Sequence, residues 1–131
     1  MVPELQAFDH VHVFVVDRAQ AEAWYRRVLG LQRTAELAFW AEGGGPLTLQ
    51  NPSGSIHIAL FERPPQPCRS VVALRVGAGA YTAWKAHLQT ELPGAVSEED
   101  HVVARSLYFR DPDGNPYEIT TYEVGSLVGT A

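Results

Sequence analysis

The features of the first half of this chain recur sixty positions later in the same order, and a duplication of that kind admits few folds. Ala23-Trp24 answers to Ala83-Trp84, and Asn51-Pro52-Ser53-Gly54 answers to Asp111-Pro112-Asp113-Gly114. The periodicity around these matches agrees with the spacing. "HVHVFVV" alternates and is β-branched, so it predicts a strand. Asp17 then offers an N-cap with Gln20 at the third helical position, and Ala21, Trp24, Tyr25, Val28 and Leu29 form a helical stripe that Gly30 ends. Three strands are predicted to follow, in "TAELAFWAE", "PLTLQ" and "SIHIALFE", separated by the glycine run 43–45 and the Asn-Pro-Ser-Gly turn.

The second half repeats this βαβββ order. It runs through "SVVALRV", a helix around Tyr81, Trp84 and Leu88 ended near Pro93-Gly94, then "AVSEEDHVV", "RSLYFRD" and "PYEITTYE". The expected fold is α+β, one domain over 1–131, with module one at about 6–63, a proline-stiffened linker at about 64–68 and module two at about 69–124.

Each sheet hides one face under its helix, and alternation says what the other face carries. In "SIHIALF", Ile56, Ile58 and Leu60 suit the helix side, while His57, Ala59 and Phe61 share the opposite face. In "HVHVFV", Val11, Val13 and Val15 make the apolar face and His10, His12 and Phe14 the other. In "PYEITTY", Glu118, Thr120 and Tyr122 are co-facial. Three strands therefore turn His, His and Glu away from the helices.

Composition narrows what such a face can serve. The 131 residues are 46% hydrophobic and 19% charged, those of a globular chain, and the net charge of -5 comes without a lysine-arginine block. Nucleic acid and anionic membranes are poor partners for it, and a small neutral or metal-bound ligand is a better one. The opening "MVPELQAFDH" lacks the basic and apolar regions of a secretion signal, and no apolar run is membrane-sized, so a cytoplasmic location is expected. The one cysteine, Cys68, cannot form an intrachain disulfide and reads as a bystander, with a reactive thiol as the alternative.

With "DHVHVFVVDRAQAEAWYRRVLGL" and "SLYFRDPDGNPYEIT" the chain resembles the vicinal oxygen chelate superfamily, which includes glyoxalase I, extradiol dioxygenases, fosfomycin-resistance proteins and bleomycin-resistance proteins. The resemblance covers nearly the whole chain. It implies mixed sheets of two modules curling around a cavity, a divalent metal in that cavity in many members, and a homodimer. The family's first-strand histidine falls on His10 and its closing-strand glutamate on Glu118. A third ligand position, at the end of the first module, is assigned to His57. The offset of sixty pairs Glu118 with Ile58, but face alternation selects His57, with a one-residue difference at the turn. Where many members place a histidine at the start of the second module, this chain has Ser70 or Val71.

His10, His57 and Glu118 would make a facial two-histidine, one-carboxylate site for one divalent ion per chain, compatible with iron(II), manganese, nickel or zinc. Bland alternatives stand beside each residue: strand histidines satisfied by hydrogen bonds, and an ordinary strand glutamate. His12, Phe14, Ala59, Phe61, Val71, Arg75 and Tyr122 are expected to line the substrate pocket. Besides Glu118, the candidates for catalysis are His101, as general acid or base or else a surface histidine, and Tyr108, over the cavity or else packed in the core. His87 is expected at the surface, and Trp24, Tyr25 and Trp84 in the helix-to-sheet core. The leading function is a metal-dependent enzyme of glyoxalase or dioxygenase type that binds a small substrate through vicinal oxygens. The rival is a metal-free drug-binding protein with an aromatic groove drawn from Phe39, Trp40, Phe61 and Tyr122.

Overall fold

The computed structural model describes residues 1–64 and 66–127, which fall in two units, Met1–Pro65 and Gln66–Ala131. Each unit holds a four-stranded mixed sheet and one main helix, a two-module α+β fold.

In the first unit the alternating "VHVFV" forms β1 (Val11–Val15), and the following stripe forms α1 (Arg18–Leu29). The Asp17 carboxylate accepts from the Gln20 N–H at 3.1 Å, and Gly30 closes the helix in the left-handed region at φ 69°. The buried residues of α1 are the expected five: Ala21, Trp24, Tyr25, Val28 and Leu29. β2 (Gln32–Arg33), β3 (Leu47–Gln50) and β4 (His57–Glu62) complete a sheet of order β1-β4-β3-β2, with β1 parallel to β4. Val13, Val15, Leu47, Leu49, Ile58 and Leu60 are all buried on the face that α1 covers.

One expected strand is absent. "TAELAFWAE" forms a 3-10 turn at Ala35–Leu37 and a short helix α2 (Phe39–Glu42), while the strand in that place is the two-residue β2 just before it. The segment is rich in Ala, Leu and Glu, strong helix formers, and lacks the β-branched run a strand favours. It is fastened by Arg18, whose guanidinium donates to the carbonyls of Ala41 and Gly45. Gly45 is required at its end: its N–H donates to the Trp40 carbonyl at 2.8 Å, and a Cβ there would lie 2.8 Å from that same oxygen.

The second unit contains β5 (Val72–Arg75), α3 (Ala78–Glu91), β6 (Ser97–Asp100), β7 (Arg105–Arg110) and β8 (Pro116–Thr121), with sheet order β5-β8-β7-β6. Tyr81 and Leu88 of α3 are buried, as are Leu107, Phe109, Tyr117 and Ile119 of the sheet. The strand expected over "AVSEEDHVV" stops at Asp100. His101 and Val102 make a tight connection to β7, in which Val102 takes φ 71° and its N–H donates to the Asp100 carboxylate at 2.8 Å.

Candidate functional site

The face of the first sheet turned away from α1 carries His12 and Phe14 on β1 and His57, Ala59 and Phe61 on β4, with His10 just before β1. A cavity of about 140 Å³ opens on this face, lined by Asp9, His10, Leu37, Trp40, Pro46, Thr48, His57 and Ala59. The helical segment that replaces the expected strand thus supplies Leu37 and Trp40 to its wall. His12, Phe14 and Phe61 lie beside it on the same face, with the His12 ring 4.6 Å from that of Phe61 and the Phe14 ring 6.2 Å from it.

His10 is held on both sides. Its Nδ1 lies 2.7 Å from an Asp9 carboxylate oxygen and its Nε2 lies 2.9 Å from Nε2 of His12. A carboxylate acceptor at Nδ1 keeps the ring proton there and leaves Nε2 of the neutral ring with a lone pair, as metal-binding histidines are commonly oriented.

In the second unit Glu118 is half-buried, and its carboxylate accepts from the fully buried Ser106 hydroxyl at 2.6 Å. Thr120 Oγ1 lies 2.9 Å from the same Ser106 oxygen. Tyr108 sits opposite Glu118 on β7, and its hydroxyl is 2.9 Å from Nε2 of His101. Loss of solvation holds the Tyr108 phenol above its ordinary range, and the charge of Glu118 adds to this against the Ser106 hydrogen bond, so the hydroxyl keeps its proton at neutral pH. Arg75 places its guanidinium 5.9 Å from the exposed Tyr122 ring, and Val71 is exposed. His87 packs edge-on to Trp84, and Cys68 is exposed.

Strand register fixes which positions of the two sheets correspond. In the first unit His12, Ala59 and Thr48 lie on one rung; in the second, Ala73, Glu118 and Tyr108 do. Ala59 is therefore the counterpart of Glu118, and His57 is the next residue on the same face toward the turn. The cause is local. Gly54 and Gly114 close their turns identically, bonding the carbonyls of Asn51 and Asp111, but Asn51 N–H then pairs with Ile56 five residues on, and Asp111 N–H with Asn115 four residues on. The first turn holds one extra residue, Ser55, whose hydroxyl accepts from the Asn51 amide at 3.0 Å.

Imidazole and carboxylate donors of this kind suit a borderline divalent ion. Among the described residues no three His, Cys, Asp or Glu side chains are assembled around one point as a ready metal site. Unit by unit, the donors are the His10–His12 pair with His57 on the same face in the first, and Glu118 in the second. Asp9 and Ser106 were missed from the sequence. Asp9 adjoins His10 directly, and Ser106 shares the alternation of "RSLYFR" with Tyr108, so each had a visible signal.

A family model described as Glyoxalase/Bleomycin resistance protein/Dioxygenase superfamily matches residues 7–119. Among solved structures, an integron cassette protein from the Halifax Harbour sewage metagenome is similar at 21% identity and TM-score 0.71, over 89% of this chain and 99% of that one. A lactoylglutathione lyase from Agrobacterium tumefaciens is similar at 19% identity and TM-score 0.67, over 95% and 100%. The fosfomycin-resistance protein FosX from Listeria monocytogenes, solved with Mn(II) and sulfate, is similar at 13% identity and TM-score 0.69, over 90% and 91%. At these identities the likeness is one of fold.

Proposed function

Because the chain belongs to the Glyoxalase/Bleomycin resistance protein/Dioxygenase superfamily, we propose that it is a metal-dependent enzyme that takes a small substrate through two neighbouring oxygens. The proposed donors are His10 and His57 from the first unit and Glu118 from the second. The observation that carries this is the setting of His10: a carboxylate on Nδ1, the other nitrogen turned to a second imidazole, and a cavity alongside. A bound divalent ion would supply Lewis acidity toward the substrate oxygens.

The chain's own groups divide the remaining work. Asp9 fixes the ring and tautomer of His10, and Ser106 does the same for one carboxylate oxygen of Glu118. Tyr108, protonated and linked to His101, is the proposed proton donor, with His101 exposed to exchange that proton with solvent. Val71, Arg75 and Tyr122 are proposed substrate contacts on the second unit, and Phe14, Ala59 and Phe61 on the first.

Chelator-treated protein titrated with iron(II), manganese, nickel or zinc tests this. About one ion should bind per chain, and an excess of about 100 times Kd should add about 2.7 kcal/mol of stability. Glu118→Gln and His57→Ala should each weaken binding and keep the fold. Ile58→Ala, at a fully buried position, should cost about 2–5 kcal/mol of stability and keep the metal. If none of the four ions binds or shifts the melting temperature, the metal-free small-molecule-binding protein becomes the better reading. Trp40 on the cavity wall, 5.7 Å from the exposed Phe39 ring, gives that alternative its aromatic surface.

A further inference from the structure

We propose that His12 is a direct ligand, forming with His10 a two-imidazole chelate on β1; this rests on the metal-dependent reading above and adds a donor to it. Residues two apart on a strand share a face, so one ion can be reached by both rings. Nε2 of His10 and Nε2 of His12 are 2.9 Å apart. Two nitrogens each about 2.1 Å from one ion and at right angles to one another are separated by about 3.0 Å, whereas tetrahedral angles require about 3.4 Å. The spacing fits adjacent corners of a six-coordinate ion. In the metal-free form the same spacing suits one N–H···N hydrogen bond with His12 as donor, and binding an ion would move that proton to Nδ1 of His12 and turn both lone pairs off the N–N line.

Two independent features point the same way. The Asp9 carboxylate at 2.7 Å from Nδ1 directs the Nε2 lone pair of His10 toward His12. The ladder register places His12 on the rung that carries Glu118 in the second unit, beside Ala59, the donorless counterpart of that glutamate. Where the second sheet places its donor on the central strand, the first leaves a methyl group and sets an imidazole on the neighbouring strand. The His12 ring is held there against Phe61.

The full-length protein, stripped with chelator, is titrated with Ni2+ by calorimetry beside His12→Ala, His12→Phe and Asp9→Asn. His12→Phe keeps an aromatic ring against Phe61, and the exposure of His12 makes both substitutions mild for the fold. Both His12 variants should lose about 100-fold in Ni2+ affinity, and Asp9→Asn about 10-fold, with metal-free melting temperatures unchanged. In protein labelled with 15N-histidine, Zn2+ should move the Nε2 resonance of His12 together with that of His10. If both His12 variants bind Ni2+ within about twofold of the wild type while His10→Ala loses it, the pair is only a hydrogen bond; His12 is then no ligand and the metal-dependent reading survives. If the wild type binds none of iron(II), manganese, nickel and zinc, both proposals fall.

Discussion

Ser106 has one hydroxyl proton and, fully buried, must direct it well. A carboxylate oxygen accepts, so the proton goes to Glu118 at 2.6 Å, while the Thr120 oxygen lies 2.9 Å from Ser106 and the Thr120 hydroxyl donates to the Arg105 carbonyl at 3.3 Å. Ser106→Ala should therefore act twice. It should cost about 1–3 kcal/mol of stability in denaturant unfolding, because a half-buried carboxylate loses its donor. It should also weaken metal binding by about 10-fold without removing any ligand. Ser106→Thr, which restores a hydroxyl, should recover most of the metal affinity. A purely structural serine would show the stability loss alone.

Among the elements, α3 is held to β6 by a hydrogen bond that titrates. The buried Tyr81 hydroxyl donates to Glu98 at 2.7 Å, and Lys85 pairs with the same carboxylate at 2.8 Å. Burial and then the Glu98 hydrogen bond and charge push the Tyr81 phenol far above its ordinary range. An unfolded tyrosine ionises near pH 10, so this contribution is complete below about pH 10 and lost as pH rises toward the folded value. Tyr81→Phe should be less stable than wild type by about 1–2 kcal/mol at pH 8, and the gap should narrow in melts above pH 10. In the first unit, Gly45→Ala should cost about 1–3 kcal/mol, since its Cβ meets a backbone carbonyl that α2 cannot move freely. Helices α1 and α3 and most strands were legible from periodicity, because a stripe or an alternation survives whatever packs on it. Residues 34–42 were not, because a short apolar run looks alike in a strand and a one-turn helix, and the Arg18 contacts that decide between them come from another element. The face of His57 was legible too. The rung was not: strand alternation fixes parity, while the extra Ser55 fixes where the count restarts.

For the whole molecule, neither sheet closes on itself. Within its own sheet each of β1, β2, β5 and β6 is paired on one side only, and the segment before β1 exposes Val2, Leu5 and Phe8. Unpaired edges and exposed apolar side chains both favour association with a second copy. Sedimentation at tens of micromolar should give twice the chain mass, and a monomer at that concentration would count against it. None of the described helices is long and apolar enough to cross a membrane. Asp9 has a different bearing on work with this protein. It lies in an exposed stretch that belongs to no strand or helix, yet it holds Nδ1 of His10. Clipping of residues 1–9 by a host protease would therefore leave every described strand and helix in place while stripping the carboxylate. A preparation of mixed N-termini would melt as one species and bind metal as two, so intact-mass measurement belongs before any titration.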